Sequence, residues 1–271
     1  MFFTRPFVVT VAALQLFSLT ACGDKSADTN EDNFTCVSGG DGYDSLCGKT
    51  WFVIGDSFSM GDWAGVSPTP AIQEGKYKGK LPVYSYLIGN RTGMVVNNIA
   101  VNGSTMSMYR GSSVERSFTF SQGLLYTTDF SSADYITIYY GINDSNLDIP
   151  IGSINDSVDT TFYGAYNTTL DYLTTHFPQA KIGLIVSNGC TSRDYPDATV
   201  EIAKKWGVPY LDLDGGVDGV TMLISSARNP ASEEEKQKIL EQQRISPTNN
   251  HPNEFAHELE SKFIENWLRS L

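Results

Sequence analysis

The chain has 271 residues, an apolar fraction of 41% with 12% aromatics, and a formal charge of −12. That composition excludes a disordered or low-complexity protein and leaves room for one large domain or two small ones. The acidity argues against a nucleic-acid partner and against electrostatic docking on anionic lipid.

Arg5 is the only charge before residue 22, and Phe7 to Leu19 is almost wholly apolar. The run is too short for a comfortable membrane span but fits the apolar stretch of an export signal. It ends in Leu19-Thr20-Ala21-Cys22, which resembles a lipobox, where cleavage precedes the cysteine and lipid is attached to its sulfur. Residues 1–21 are therefore expected to be a lipoprotein signal peptide and Cys22 the lipidation site. The expected product is an exported bacterial lipoprotein of the cell envelope, periplasmic or on the outer surface. It would touch the membrane through its N-terminal lipid only. Removing residues 1–21 removes Arg5 and no acid, which takes the charge from −12 to −13.

Residues 22–48 read as an acidic tether with a loop bounded by Cys36 and Cys47. In an exported protein those two cysteines are disulfide candidates. Cys190 is left single and reads as a buried thiol. No Cys-x-x-Cys occurs, and His251 and His257 lack a metal-ligand spacing, so neither a metal nor a cofactor is expected.

From residue 49 to 271 the pattern is that of a single domain. Short apolar runs at Trp51–Ile54, Met94–Val96, Tyr135–Tyr140, Ile182–Val186 and Val208–Leu213 predict strands buried on both faces. Helices are predicted over Pro82–Gly89, Tyr163–His176, Ala198–Trp206 and Asn253–Leu268. The last carries Phe255, Leu259, Phe263 and Trp267 at i+4 steps, the expected apolar face. Strands alternating with helices predict an α/β fold, a doubly wound parallel sheet with its site at the carboxyl ends of the strands. Residues 214–250 fit less well and read as an inserted loop and a solvated helix before the last helix.

Three loops follow three of these strands. Gly55-Asp56-Ser57 presents a serine just past a strand end. The second loop, Asn98 to Gly103, ends in a glycine whose backbone N–H is unobstructed. Gly141-Ile142-Asn143-Asp144 offers a side-chain amide. A nucleophile and two neutral donors at neighbouring strand ends are ingredients of an acyl-transfer site, and His251-Pro252 supplies a base just before the last helix. Asp56 reads as a loop-ordering residue and Asp144 as a brace for the Asn143 loop.

These four fragments, in this order, resemble the SGNH hydrolases, or GDSL-like lipase/esterases, from about Thr50 to the C-terminus. The resemblance implies a flavodoxin-like three-layer α/β/α sandwich with a central, mainly parallel five-stranded sheet. It implies Ser57 as nucleophile and His251 as base, with the N–H groups of Ser57 and Gly103 and the side chain of Asn143 forming the oxyanion hole. The family usually carries an aspartate three positions before this histidine, where Thr248 stands here. A backbone carbonyl, the Thr248 hydroxyl or an acid such as Asp212, Asp214 or Asp218 would then orient the ring. The implied activity is a serine esterase acting on a small acyl ester, such as an O-acetyl group on a carbohydrate. A lysophospholipase or thioesterase using the same residues is the second reading, and a non-catalytic glycan-binding surface protein the third.

Overall fold

The computed structural model describes residues 44–61, 82–108, 117–119, 123–213, 241–246 and 248–271. Five strands form one parallel sheet in the order β2-β1-β3-β4-β5. They are β1 (Thr50–Gly55), β2 (Val95–Asn98), β3 (Tyr135–Tyr139), β4 (Lys181–Val186) and β5 (Tyr210–Asp212). The central strands are buried almost throughout, β3 at every position. Unbroken apolar runs are what a sheet covered on both faces requires, because neither side of the strand meets water.

The covering helices are α2 (Tyr84–Thr92), α5 (Phe162–His176), α6 (Asp194–Trp206) and α7 (Glu254–Ser270). Helix α2 packs on α7, and α5 on α6, giving the three-layer α/β/α sandwich. Arg91 Nε donates to Glu265 Oε2 at 2.7 Å and ties the first pair together. Gly183 of β4 lies directly under the Trp267 ring of α7, where a Cβ would collide with it. Thr161 caps α5 by accepting from Gly164 N at 3.2 Å, and Asn253 caps α7 by accepting from Ala256 N at 3.1 Å. Three short helices lie outside the sequence expectations: α1 (Ser57–Met60), α3 (Leu124–Thr127) and α4 (Ile142–Asn146). So does an antiparallel ribbon of β6 (Arg244–Ser246) and β7 (Asn249–Pro252).

The buried face of α7 differs from the i+4 row read in the sequence. Phe255 is 54% exposed, whereas His257, Glu260, Ser261, Ile264 and Leu268 face inward. Four residues turn a helix by about 400°, so an i+4 row drifts by about 40° per step and cannot keep one face over four members. Phe263 and Trp267 still pack against the core, from its edge.

Residues 44–48, placed by sequence in the loop before the domain, pack on it. Leu46 is fully buried in the core, and Leu46 N donates to Asp44 Oδ1 at 3.0 Å. Asp44 also pairs with Arg269 at the end of α7, which holds its carboxyl below the usual range. Cys47 is disulfide-bonded. Cys36, Cys22, the signal segment and residues 214–240 lie outside the described residues. Cys190 is a buried thiol outside any disulfide.

Candidate active site

Strand β1 ends in Gly55, where an added Cβ would meet Tyr139 O at 2.9 Å. That close approach lets the chain turn at once into α1. Asp56 is the N-cap, with Oδ1 accepting from Phe58 N at 3.0 Å. Ser57 follows at the first helical position, where no intrahelical carbonyl reaches its N–H. The turn is sealed: Asp56 is 0% and Ser57 3% exposed. Burial pushes the Asp56 carboxyl up to about 7, against the pull of the Phe58 N–H.

The loop after β2 is stitched to this turn. Asn98 Nδ2 donates to Ser59 O at 2.7 Å, and Val101 N to Gly55 O at 3.0 Å. Gly103 has φ 70, a left-handed conformation that suits glycine. The next residue, Ser104, bonds through Oγ to Val101 O at 2.7 Å and Tyr140 OH at 3.0 Å.

After β3, Gly141 at φ 126 starts α4. Asn143 Nδ2 donates to Ser104 O at 2.9 Å. One of its two amide hydrogens is thereby used, which aims the amide and leaves the second for the cleft. Asp144 accepts from Met106 N at 2.9 Å, Ser107 N at 3.0 Å and Ser107 Oγ at 2.8 Å. Burial raises its carboxyl to about 6, and those three bonds hold it back from going higher.

His251 arrives from the ribbon on the other side. Its Nε2 is 2.8 Å from Ser57 Oγ, and its ring lies 5.3 Å from the Phe58 ring between centroids. Nδ1 is 2.6 Å from Asn249 Oδ1, and the same oxygen accepts from His251 N at 3.1 Å. Asn253 holds the ribbon to α7: its Nδ2 donates to Gln242 O at 2.8 Å and Arg244 O at 3.0 Å.

Ser57, His251 and Asn143 thus line one cleft of about 220 Å³. Asn146, Thr191, Thr248 and Asn249 add neutral polar groups, and Phe58, Ile142 and Gly189 an apolar floor. Gly189 is pressed against Phe58 and Ile142, where a Cβ would lie 2.8 Å from Phe58 Cε2. Gly103 does not line the cleft; it precedes Ser104, whose carbonyl takes the Asn143 amide. Thr248 Oγ1 is 3.3 Å from Ser246 Oγ. Asp212 ends β5, and Asp214 and Asp218 lie outside the described residues. Among the described residues, the side chain within hydrogen-bond distance of Nδ1 is that of Asn249, which sequence reasoning passed over. The available signal was an asparagine two residues before the histidine, the spacing of an Asx turn. Among the described residues, no group of three or more His, Cys, Asp or Glu is placed to hold a metal ion.

No family model matches the chain, and no curated protein does. Solved structures do. A protein assigned as a GDSL-like lipase from Bacteroides ovatus aligns with TM-score 0.57 and 15% identity over 83% of this chain and 99% of its own. A possible lipase from Chitinophaga pinensis aligns with TM-score 0.54 and 17% identity over 82% and 98%. A family two carbohydrate esterase from Clostridium thermocellum, solved with cellohexaose, aligns with TM-score 0.52 and 15% identity over 82% of this chain and 64% of its own. The three-layer α/β/α fold with its five-stranded parallel sheet is therefore the fold this chain shares with those lipase and carbohydrate-esterase structures.

Proposed function

We propose that the chain is an exported serine esterase that hydrolyses small acyl esters, O-acetyl groups on carbohydrates being the favoured substrates. The observation that carries this is the 2.8 Å contact of Ser57 Oγ with His251 Nε2 inside a small cleft. Ser57 Oγ attacks the ester carbonyl as its proton passes to Nε2. The carbonyl oxygen takes up the negative charge, held by the N–H groups of Ser57 and Gly103 and the Asn143 amide. The tetrahedral centre collapses, the C–O bond to the alcohol breaks, and His251 returns the proton to the leaving oxygen. A water molecule, deprotonated by His251, then hydrolyses the acyl-Ser57 ester.

Size and lining support a short acyl group on a polar alcohol. A cleft of about 220 Å³ is smaller than the ~300–1,000 Å³ of typical drug-sized pockets. Apart from His251 its polar lining is neutral amides and hydroxyls, which suit sugar hydroxyls better than a charged headgroup. The carbohydrate esterase among the structural neighbours was solved with a glucan chain bound, which favours the same substrate class. The remaining proposals concern the N-terminus: cleavage after residue 21, a lipid on Cys22, and a Cys36–Cys47 disulfide.

The test is a substrate panel on the full chain: acetylated sugars, p-nitrophenyl esters of rising acyl length, and a lysophospholipid. Acetate release and a sharp fall in kcat/KM beyond short acyl groups are expected, with Ser57→Ala inactive. A preference for long acyl chains or lysolipid would favour the lysophospholipase or thioesterase reading. A wild-type protein that no fluorophosphonate labels would leave the glycan-binding reading.

A further inference from the structure

We propose that Asn249 is the positioning residue of this site, an amide standing where a triad ordinarily has a carboxylate. The proposal rests on the Ser57–His251 reading and adds to it what sets the proton on the ring.

The N–H of His251 can only donate, so the Asn249 side-chain atom 3.1 Å from it must be the carbonyl oxygen and not the amide nitrogen. That assignment removes the usual ambiguity of an asparagine amide. The same oxygen is 2.6 Å from Nδ1, and an amide oxygen only accepts. Nδ1 must therefore carry the proton. In the neutral ring Nε2 is then the unprotonated nitrogen, and it faces Ser57 Oγ at 2.8 Å. One oxygen thus holds both the turn that presents His251 and the tautomer that makes Nε2 a base.

The surroundings keep that oxygen in place. Asn249 pairs with Ser246 across the ribbon, and the register shifts between Arg244 and Ser246. Asn253 N donates to Gln243 O at 2.8 Å, closing the ribbon onto the start of α7. The asparagine therefore sits between two anchored points of backbone.

When Ser57 gives up its proton, the ring becomes an imidazolium with two N–H groups. One points to the reacting oxygens and the other stays on Asn249 Oδ1. An amide dipole favours that cation less than a carboxylate charge would. Asn249→Asp keeps an acceptor oxygen and adds a negative charge, which favours the imidazolium and moves the acid limb of activity upward in pH.

The experiment measures kcat and KM for p-nitrophenyl acetate across pH for wild type, Asn249→Ala and Asn249→Asp. Asn249→Ala is expected to lose about 10- to 1,000-fold in kcat with KM within about threefold, because the base loses its tautomer and aim. Asn249→Asp is expected to recover kcat at neutral pH, with the acid limb of kcat/KM about one pH unit or more higher. An alanine variant within twofold of wild type in kcat overturns the proposal. So does a folded aspartate variant whose acid limb does not move, and that measurement decides alone if the alanine variant fails to fold. Fluorophosphonate labelling of wild-type Ser57 is run alongside: its absence would sink the hydrolase reading itself, whereas labelling with flat Asn249 variants would sink only this proposal.

Discussion

The two halves of the Ser57–His251 pair are built in opposite ways. Ser57 stands in a sealed polar platform: Asp56, Ser57, Ser59, Ser104 and Asp144 are all buried, and hydrogen bonds run between the loops after β1, β2 and β3. His251 stands on a two-stranded ribbon that is only half-buried, steadied by Asn249 and Asn253. The platform is held by many mutually dependent bonds in a medium that makes each one costly to break. The ribbon hangs on a few bonds near solvent. Damage to the platform should therefore cost stability as well as rate, and damage to the ribbon mostly rate.

The sharpest test of the platform is Asn143→Ala. On the proposed mechanism it removes a donor to the developing oxyanion, and such a loss lowers kcat by about 100- to 1,000-fold. KM should change little, since the charge it meets exists only in the transition state. A kcat within threefold of wild type would mean that Ser104 O holds this amide for structure alone.

Asp56 comes next. Its Oδ2 meets no hydrogen-bond donor among the described residues, and burial raises the carboxyl from 3.8 to about 7. Between about pH 4 and 7 the folded protein keeps this proton while the unfolded chain releases it. Stability therefore falls as pH rises through that window, by a few kcal/mol at most, and levels off above it. Asp144, raised to about 6, adds a slope of the same sign over a narrower range. Asp56→Asn keeps an oxygen for Phe58 N and has no charge to bury. Urea denaturation at several pH values should show a flatter profile for the variant, and parallel profiles would reject the assignment.

Asp144→Asn separates the two buried acids. Asp144 uses both oxygens to accept three bonds, so an amide would turn an N–H toward a donor from Met106 or Ser107. The expected loss is about 1–3 kcal/mol at neutral pH, where Asp56→Asn is expected to be neutral or stabilising. Chemical denaturation of both variants at pH 8 gives the comparison directly.

The same contrast governs what the sequence made legible. The platform follows strands that announce themselves: Thr50–Gly55 and Tyr135–Tyr139 are short and rich in aromatic and β-branched residues, and a glycine stands at Gly55 and at Gly141 where each gives way to its loop. Ser57, Asn143 and the loop of Gly103 could be placed at strand ends for that reason. The ribbon carries no such pattern. Arg244–Ser246 and Asn249–Pro252 are polar and irregular, with a proline and no alternation, so nothing in their periodicity marks a pair of strands. Helices α1 and α4, of four and five residues, are shorter than the window in which a helical period can be seen. A family aspartate points to Thr248 and to acids elsewhere as acceptors for the His251 ring. Among the described residues an amide one position closer to it, Asn249, lies 2.6 Å from Nδ1, and Asp214 and Asp218 lie outside them.

The smallest effect is predicted at Thr248, and it is the most discriminating for the ribbon. An aspartate there would stand where the similar family carries its orienting acid. Yet the proton of Nδ1 already goes to Asn249 Oδ1 at 2.6 Å, and a single N–H cannot serve two acceptors at full strength. Thr248 is exposed, and its hydroxyl turns to Ser246 Oγ at 3.3 Å. A new carboxylate would have to displace a bond that also holds the turn, so Thr248→Asp should leave kcat/KM on p-nitrophenyl acetate within about threefold of wild type. Removing the competitor should reverse this: in an Asn249→Ala background, Thr248→Asp should recover about tenfold or more of the lost kcat. The two changes would then be strongly non-additive, as expected of groups that compete for one site. A tenfold gain from Thr248→Asp alone would show that the histidine can turn from Asn249 to an acid at position 248. In that case the ribbon would hold the ring more loosely than the 2.6 Å contact implies.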